Sequence, residues 1–231
     1  MSMKTVIKTS GLHKTYQETS VPVHALQGVD LEIKEGEFTA IVGPSGSGKS
    51  TLLNMIGGLD HPSEGRVWIG EQEITKLSTS DMVNFRRDRI GFIFQSYNLI
   101  PVLTAYENAE FVMLMQNRPK QEREQRVHEL LQEVGLEGKE HNRPAQLSGG
   151  QQQRVAVVRA LAPKPEFILA DEPTANLDSV STANLLDLMA ELNQHEGTTF
   201  VFSTHDDRVI ERARRVITLV DGKIDKDEYR D

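Results

Sequence analysis

Residues 43–51 read GPSGSGKST and directly follow the apolar run FTAIV at 38–42. They match the pattern G-x-x-x-x-G-K-[ST], placed between a predicted buried strand and a predicted helix. Glycines in this pattern let backbone N–H groups turn inward around an anion, and the helix that follows points its positive end at the same place. The lysine adds a positive charge for β- and γ-phosphates. The stretch therefore predicts a strand, a phosphate-binding loop and a helix, in that order.

The predicted nucleotide contacts cover the whole loop: Gly43, Pro44, Ser45, Gly46, Ser47, Gly48, Lys49, Ser50 and Thr51. Within it, the hydroxyl of Ser50 is expected to bind a magnesium ion. The alternative is a Gly/Ser turn that only links a strand to a helix, which the flanking patterns disfavour. The dinucleotide-binding pattern G-x-G-x-x-G fails because Thr51 stands in the place of its third glycine.

A phosphate-binding loop of this kind needs an acidic element to hold its metal, and FILADE at 167–172 supplies one. Asp171 ends a predicted buried strand, where a carboxylate is costly without a partner, and we expect it to bind magnesium directly or through water. We expect Glu172 to orient or deprotonate a water for in-line attack on the γ-phosphate. The competing interpretation is an acidic turn before Pro173.

The composition limits the classes of protein that fit. With 231 residues and no cysteine, the chain can bury a core without disulfides and has no Cys-based zinc site. Its net charge of -8 disfavours nucleic acid, or an anionic membrane surface, as a partner held by charge. No run approaches the roughly 20 apolar residues needed to span a bilayer. We therefore expect a soluble protein in a cytosolic setting.

Short apolar runs alternate with helical patterns, which predicts an α/β protein with a mixed-sheet core. The predicted strands are TVIKTSGL, VHALQGVDLEI, FTAIVG, RVWIG, IGFIF, EFILAD, TTFVFSTH and VITLV. From about residue 104 to 161 the pattern is almost entirely helical. In QEREQRVHELLQEVG, for example, one face carries Val127, Leu130, Leu131 and Val134.

The stretch LSGGQQQRVAVVRAL at 147–161 starts with Ser-Gly-Gly and continues as an amphipathic helix. Its start predicts a second anion-binding helix N-terminus, with Ser148 as the N-cap. Taken alone, it is equally well an ordinary capped helix. Because one phosphate-binding loop already satisfies one nucleotide, a second phosphate-facing terminus raises the question of whose phosphate it meets.

The loop at 43–51, LSGGQ and FILADE, in this order and spacing, resemble the ATP-binding cassette (ABC) ATPases, the motor subunits of ABC transporters. The resemblance covers essentially the whole chain and implies a P-loop NTPase fold: a mixed-sheet core, an antiparallel β subdomain and an inserted α-helical subdomain. It implies one ABC ATPase domain over 1–231, with the nucleotide-binding core at 1–94 and 163–231 and the helical subdomain at about 95–162. In that family two ATPase domains pair head to tail, and the LSGGQ of one closes over the ATP of the other.

The resemblance also implies roles for single residues. Tyr16 in LHKTY is expected to stack on adenine, and Gln95 in IGFIFQSYN to touch magnesium and water and to link to the membrane partner. His205, which ends VFSTH, is expected to sense the γ-phosphate. The contacts to the γ-phosphate of the opposite subunit fall on Ser148, Gly149, Gly150 and Gln151. The D-loop at the dimer contact falls on Asn176, Leu177 and Asp178, of which Asp178 is included among the ATP-binding residues.

Each of these residues has a simpler interpretation when it is taken alone. Tyr16 fits a strand-edge aromatic, Gln95 a loop amide, Asp178 an N-cap and His205 a histidine at a strand end. Their joint position in one pattern favours the functional roles. The predicted catalytic residues are Lys49, Gln95, Glu172 and His205. The predicted metal ligands are Ser50, Gln95 and Asp171.

We therefore expect an ATPase that uses ATP and Mg²⁺ and works as a homodimer. The resemblance implies a separate transmembrane permease subunit as its partner, with a periplasmic adaptor as a further candidate and no nucleic acid. The expected location is peripheral, on the cytoplasmic side of the inner (plasma) membrane, with membrane contact only through the partner. The apolar stretch NLIPVLTAYENAEFVMLM at 98–115 suits a groove for a helix of that subunit, and core packing is the equal alternative.

Within the family, the resemblance is to the ATPases of lipoprotein release and of MacB-type export in particular. It depends on QETSVPVHAL, IGGLDHPSEG and ADEPTANLDS, whereas Ala175 and Val158 depart from the glycine and alanine usual in those relatives. This branch implies export, lipoprotein release or extracytoplasmic mechanotransmission. One rival is a soluble ABC ATPase acting in translation or DNA repair without a membrane partner. Another is a non-enzymatic nucleotide-gated binding module, which would not need Glu172 and His205.

Overall fold

The structure, a computed structural model, describes residues 4–17 and 21–230. Residues 18–20, within the stretch QETSVPVHAL used above, lie outside this part. The strands are β1 (Thr5–Tyr16), β2 (Val23–Lys34), β3 (Phe38–Val42), β4 (Glu64–Ile69), β5 (Gln72–Glu73), β6 (Ile90–Ile93), β7 (Phe167–Asp171), β8 (Thr199–Ser203), β9 (Arg215–Val220) and β10 (Lys223–Tyr229). The helices are α1 (Lys49–Ile56), α2 (Thr79–Arg89), α3 (Ala105–Met115), α4 (Lys120–Glu133), α5 (Gly149–Leu161), α6 (Ser179–Glu196) and α7 (Asp207–Arg212).

The strands form two sheets. The larger sheet has the order β10-β9-β3-β8-β7-β6, in which β10 is antiparallel to β9 and all the other pairs are parallel. The smaller sheet has the order β2-β1-β4-β5 and is antiparallel throughout. The predicted mixed-sheet core and antiparallel sheet are therefore both present. In parallel sheets, ligands bind beyond the carboxyl ends of the strands, which here lie along one edge.

The central strands are buried on both faces, which is why their sequences are nearly continuous apolar runs rather than alternating ones. On one face, Ile41 and Val201 share an apolar cluster with α1 and the antiparallel sheet. On the other face, Phe38, Phe200 and Phe202 share a cluster with helices α3 to α6. Among the described residues, the helices therefore share their core with the sheet, and the predicted bounds of the helical subdomain stay a prediction.

The stretch from about residue 104 to 161, here called the helical block, has the periodicity expected from the sequence. The predicted apolar face of α4 is buried in the cluster with the other helices, and Val134 lies one residue past its end. Helix α3 begins at a capping box in which Thr104 accepts from the backbone N–H of Glu107 and the Glu107 side chain accepts in return. The cap at Thr104 coincides with the residue at which the helical sequence pattern begins.

Among the described residues, the sequence prediction lacks the two-residue strand β5 and two longer elements, α2 and β10. Only Met82 is buried in α2, so its sequence TSDMVNFRRDR carries no apolar stripe. The edge strand β10 reads KIDKDEY and is mostly exposed, so it lacks the apolar alternation that marks a half-buried strand. Both are held by neighbours in the tertiary structure rather than by a pattern of their own.

Candidate active site

The loop at 43–48 links β3 to α1 at the carboxyl edge of the large sheet. Two of its glycines are required by close backbone contacts. A Cβ atom on Gly43 would lie 2.0 Å from the carbonyl oxygen of Leu219, and one on Gly48 would lie 2.3 Å from that of Ala25. Both also have positive φ, 148° and 102°, where side chains are strained. The loop is thus wedged against both sheets in a shape that needs glycine.

Helix α1 begins at Lys49, with no acidic residue in its first turn. The Lys49 ammonium donates to the carbonyls of Gly43 at 2.9 Å and of Pro44 at 3.1 Å, and its side chain is largely buried. Beside it, the buried Ser47 hydroxyl has no hydrogen-bond partner in the described part of the chain. A positive helix end, an ammonium and an unpaired hydroxyl together suit an anion.

Ser50 and Asp171 meet at the same edge although they are far apart in the chain. The Ser50 hydroxyl donates to the Asp171 carboxylate at 3.0 Å, and Asp171 is the last residue of β7. Hydroxyl and carboxylate oxygens are ligands that Mg²⁺ prefers, and Mg²⁺ usually takes its other ligands from water and phosphate. No group of three or more His, Cys, Asp or Glu suited to a metal occurs among the described residues. The donors therefore fit a magnesium ion that arrives with a phosphate ligand.

Glu172 points to the other side of the site, toward His205. Its backbone is left-handed, with φ of 46°, and its N–H donates to the carbonyl of Ser203 at 2.9 Å. Oε1 of its side chain lies 2.8 Å from Nδ1 of His205. Only 17% of the glutamate side chain is exposed, against 74% of the histidine. A non-glycine residue held in this conformation is typical of functional sites, where the surroundings offset its strain.

A pocket of about 760 Å³ gathers most of the predicted site. Of the predicted residues its lining includes Tyr16, Gly43, Pro44, Ser45, Gly46, Gly48, Lys49, Ser50, Thr51, Gln95, Glu172 and His205. Asp171 reaches this region through Ser50. The sequence analysis missed His24, which also lines the pocket. The pairing of β1 with β2, in which Thr15 lies opposite His24, brings His24 to this place. A local sequence pattern does not reveal that register.

The LSGGQ residues lie apart from this pocket. Ser148 caps α5 in a capping box: its hydroxyl accepts from the Gln151 N–H at 3.3 Å, and Gln151 Oε1 accepts from the Ser148 N–H at 3.0 Å. A Cβ atom on Gly149 would lie 2.9 Å from the Tyr97 hydroxyl, and one on Gly150 would lie 3.2 Å from the Ser181 hydroxyl. Within one copy of the chain, this second helix N-terminus therefore does not meet the phosphate loop.

The predicted D-loop connects several of these elements. The Asn176 side chain donates to the carbonyl of Gln95 at 2.8 Å, and Leu177 packs against the helical cluster. Asp178 is the N-cap of α6 and accepts from the N–H groups of Val180 and Ser181. Its carboxylate thus acts as a helix cap in this structure, and a role at a nucleotide or a dimer contact stays a prediction.

The glycine loop leads into the N-terminus of α1, and the buried lysine lies beside it. The Ser–Asp oxygen pair and the Glu–His pair lie at the same edge of the sheet. This arrangement is that of a P-loop nucleoside triphosphatase. Comparison with known proteins supports this class. The family model described as ABC transporter matches residues 26–175. The chain therefore belongs to the ABC transporter family, among its ATP-binding, ATP-hydrolysing subunits, and the predicted resemblance and fold class are confirmed.

Individual relatives are similar over nearly the whole chain. The lipoprotein-releasing system ATP-binding protein LolD 1 of Rhodopseudomonas palustris is 47% identical over 96% of this chain and 99% of its own. The macrolide export ATP-binding/permease protein MacB of Escherichia coli is 47% identical over 96% of this chain. The matched region covers 34% of the longer MacB chain.

A solved structure is similar in fold and in sequence. It is the dimeric post-hydrolysis state of the ATP-binding cassette MJ0796, bound to ADP and Pi, from Methanocaldococcus jannaschii. The TM-score is 0.89 and the identity is 46%, over 96% of this chain and 98% of that one. The relatives do not favour the rival of a translation or DNA-repair ATPase. Among the described residues, none of the helices combines the length and the hydropathy that a membrane-spanning segment needs.

Proposed function

We propose that two copies of this chain pair head to tail around two ATP molecules and that hydrolysis drives a separate transmembrane subunit. The observation that carries the catalytic part is the hydrogen bond between Glu172 and His205, beside the phosphate loop. Oε1 of the carboxylate is hydrogen-bonded to His205, Oε2 accepts a longer bond of 3.5 Å from the Thr204 hydroxyl, and most of the side chain is shielded from bulk water. It is thus oriented to accept a proton from a water that attacks the γ-phosphate.

The other residues of the pocket bind and orient the nucleotide. The loop N–H groups and Lys49 hold the phosphates, since they supply positive potential without a competing carboxylate in the first turn of α1. Tyr16 offers a ring to the base. Mg²⁺ would be held by Ser50, Gln95 and Asp171, and when bound it neutralises charge on the β- and γ-phosphates. His205 fixes the Glu172 side chain and reaches into solvent, where a γ-phosphate from the pocket can meet it.

The head-to-tail pairing explains the second helix N-terminus. Helix α5 begins with Ser148 and two glycines and has no acidic residue in its first turn, yet it lies outside the chain's own pocket. An anion-binding terminus without a ligand from its own chain fits a nucleotide held by a second copy. The dimer reported for the relative MJ0796 with ADP and Pi supports this pairing.

A groove on another face suits the transmembrane partner. It measures about 530 Å³, and its lining includes the exposed apolar side chains Leu59, Val83 and Met115. Arg86 and Arg159 also line it. Both donate to backbone carbonyls, Arg86 to Gly58 and Arg159 to Tyr97 and Asn98, and neither forms an ion pair with another described residue. Apolar surface beside two guanidinium groups without carboxylate partners fits a helix that carries apolar and acidic side chains. Stretch 98–115 has residues of both kinds, since Met113 is buried in the core whereas Met115 is exposed and lines the groove.

The finer function follows the named relatives. LolD is named as the ATP-binding protein of a lipoprotein-releasing system and MacB as a macrolide export protein. We therefore propose export or lipoprotein release, with the chain bound peripherally to its partner at the cytoplasmic face of the inner membrane. A periplasmic adaptor stays a candidate member of the assembly.

The test is Glu172→Gln, which keeps the shape of the side chain but cannot accept a proton at catalysis. We expect the ATPase kcat to fall by roughly 10²- to 10⁴-fold, with ATP affinity unchanged and an ATP-dependent dimer visible by light scattering. Glu71→Gln is the matched control, because Glu71 is exposed and does not line the pocket. Full turnover in Glu172→Gln would contradict the proposal that Glu172 is the base. A monomer at saturating ATP would contradict the proposed pairing.

A further inference from the structure

The ring of Tyr16 stands at the end of β1, on the wall of the nucleotide pocket. Lys14 lies two residues earlier on the same strand. Its ammonium is 4.8 Å from the centroid of the Tyr16 ring, which is within cation–π range. Of the two side chains, only that of Tyr16 lines the pocket. The ammonium therefore covers one face of a ring that itself lines the pocket.

Asp60, in the loop between α1 and β4, holds both side chains. Its Oδ2 accepts from the Tyr16 hydroxyl at 3.2 Å. Lys14 Nζ is 2.8 Å from each of its carboxylate oxygens and also donates to the carbonyl of His61 at 2.8 Å. Burial raises the pKa of Asp60, but the hydrogen bonds from Lys14 and from the His61 N–H outweigh it and lower the pKa overall. The carboxylate is therefore charged at neutral pH and binds the ammonium as an ion pair.

We propose that Asp60 and Lys14 form a clamp that positions the Tyr16 ring for stacking on the base of the bound nucleotide. The inference rests on the proposed function, in which Tyr16 contacts the base. A tyrosine at a strand end loses rotamer freedom when a base stacks on it. Here its hydroxyl and one face are held beforehand, so less entropy is lost on binding. The two clamp residues act through Tyr16 and are positioning residues.

The ammonium adds a second effect on the same ring. It draws π-electron density toward its own face of the ring, which leaves the opposite face less repulsive to an electron-rich purine in offset stacking. The clamp thus contributes to the affinity for the base, whereas the loop at 43–51 provides the affinity for the phosphates. A ligand with a base and a ligand with phosphates alone therefore distinguish the two contributions.

The competing role is that Asp60 only fixes its own loop to β1. That loop has an independent attachment: the N–H of Thr15 donates to the Ser63 hydroxyl at 3.0 Å, and the N–H of Ser63 donates to the carbonyl of His13 at 2.9 Å. Ser63→Ala removes one of these links without touching Tyr16 or Lys14. It is therefore the matched control for loosening the loop.

The experiment measures binding of two probes, ATP and inorganic tripolyphosphate, both with Mg²⁺, by calorimetry on the full-length protein. We expect Tyr16→Ala to weaken ATP roughly tenfold, the typical effect of losing one base–aromatic stack. Asp60→Ala should weaken ATP by about three- to tenfold and leave tripolyphosphate unchanged, with KM raised and kcat retained. Lys14→Met should act in the same direction, and Ser63→Ala should change neither ligand.

The double variant Asp60→Ala/Tyr16→Ala decides whether Asp60 acts through the ring. If it does, Asp60→Ala causes no further loss of ATP affinity once the ring is absent. A full additional loss, or an equal loss for ATP and tripolyphosphate, would overturn the clamp while leaving Tyr16 as the base platform. If Tyr16→Ala itself leaves ATP affinity unchanged, the proposed base contact and the clamp both fail. The catalytic proposal is tested separately by Glu172→Gln.

Discussion

At residue 48 the backbone of the phosphate loop passes so close to β2 that no side chain fits. The same is true of Gly43 against β9, whereas the neighbouring Gly46 has open space. All three have positive φ, so all three carry conformational strain when they are replaced. Gly46 is therefore needed for its conformation alone, whereas Gly43 and Gly48 are needed also because they have no side chain.

Gly48→Ala and Gly46→Ala test this difference. The Cβ of Gly48→Ala would meet the carbonyl oxygen of Ala25 at 2.3 Å, with φ of 102°, whereas Gly46→Ala has φ of 79° and nothing within 4 Å. We expect losses of about 3 to 5 kcal/mol in the free energy of unfolding for the first and about 1 to 2 kcal/mol for the second. Urea unfolding without nucleotide measures both. Equal losses would contradict the contact argument.

At the scale of elements, the segment that follows Gln95 is held by α5. Tyr97 and Asn98 both have left-handed backbones, with φ of 54° and 50°. The guanidinium of Arg159 donates to their carbonyls at 2.7 and 2.5 Å, and its burial lowers the pKa of Arg159. The Tyr97 hydroxyl donates onward to the carbonyl of Asn176 at 3.4 Å. Arg159 thus ties the segment after Gln95 to the LSGGQ helix, and the Tyr97 hydroxyl ties the same segment to the predicted D-loop.

Arg159→Met should therefore release this segment. We expect the free energy of unfolding to fall by about 1.5 to 3 kcal/mol, because two hydrogen bonds from a charged donor are lost. Amide hydrogen exchange in residues 95–104 should become faster. Arg154→Met is the matched control: Arg154 lies on the same helix but donates to the carbonyl of Val134. Unchanged exchange at 95–104 in Arg159→Met would remove the proposed link.

At the scale of the whole molecule, helix α4 is joined to helix α6, far along the chain, by more than the shared apolar cluster. Arg126 of α4 and Glu196 at the end of α6 form two parallel hydrogen bonds of 2.8 Å, across 70 residues of sequence. The exposed fractions of these side chains are 14% and 29%. Hydrogen bonds from Arg126 lower the pKa of Glu196 below its usual value of 4.5, although burial opposes this.

This pair makes stability depend on pH with a defined sign. A carboxyl with a lowered pKa in the folded state contributes stability above its unfolded pKa and loses it as the pH falls through the folded pKa. Glu196→Gln should therefore cost about 1 kcal/mol at pH 7, allowing for partial screening by solvent. The difference from the wild type should shrink as the pH falls below 4.5. Glu133→Gln, on the exposed face of α4, should show no such pattern. Urea unfolding across pH 3.5 to 7 measures it, and a constant difference would contradict the assignment.

Much of the fold and site could be predicted because the signals are local. The glycine loop and the strand and helix beside it are specified within about a dozen neighbouring residues, through backbone conformation and apolar pattern. The runs of β7 and β8 predict buried strands in the same way. By contrast, α2 and β10 have no apolar period of their own, so only contact with their neighbours in the folded chain defines them.

The sequence by itself determined the chemistry of this protein: which residues can bind phosphate, which carboxylates follow the buried strand, and the family to which their order belongs. The tertiary structure alone decided which of them share a pocket. Ser50 and Asp171 meet across 121 residues, and Asp178 is used as a helix cap. Asp60 reaches Tyr16 across 44 residues. The physical reason is that such contacts depend on the order of strands in the sheets and on loop paths, which no local pattern encodes.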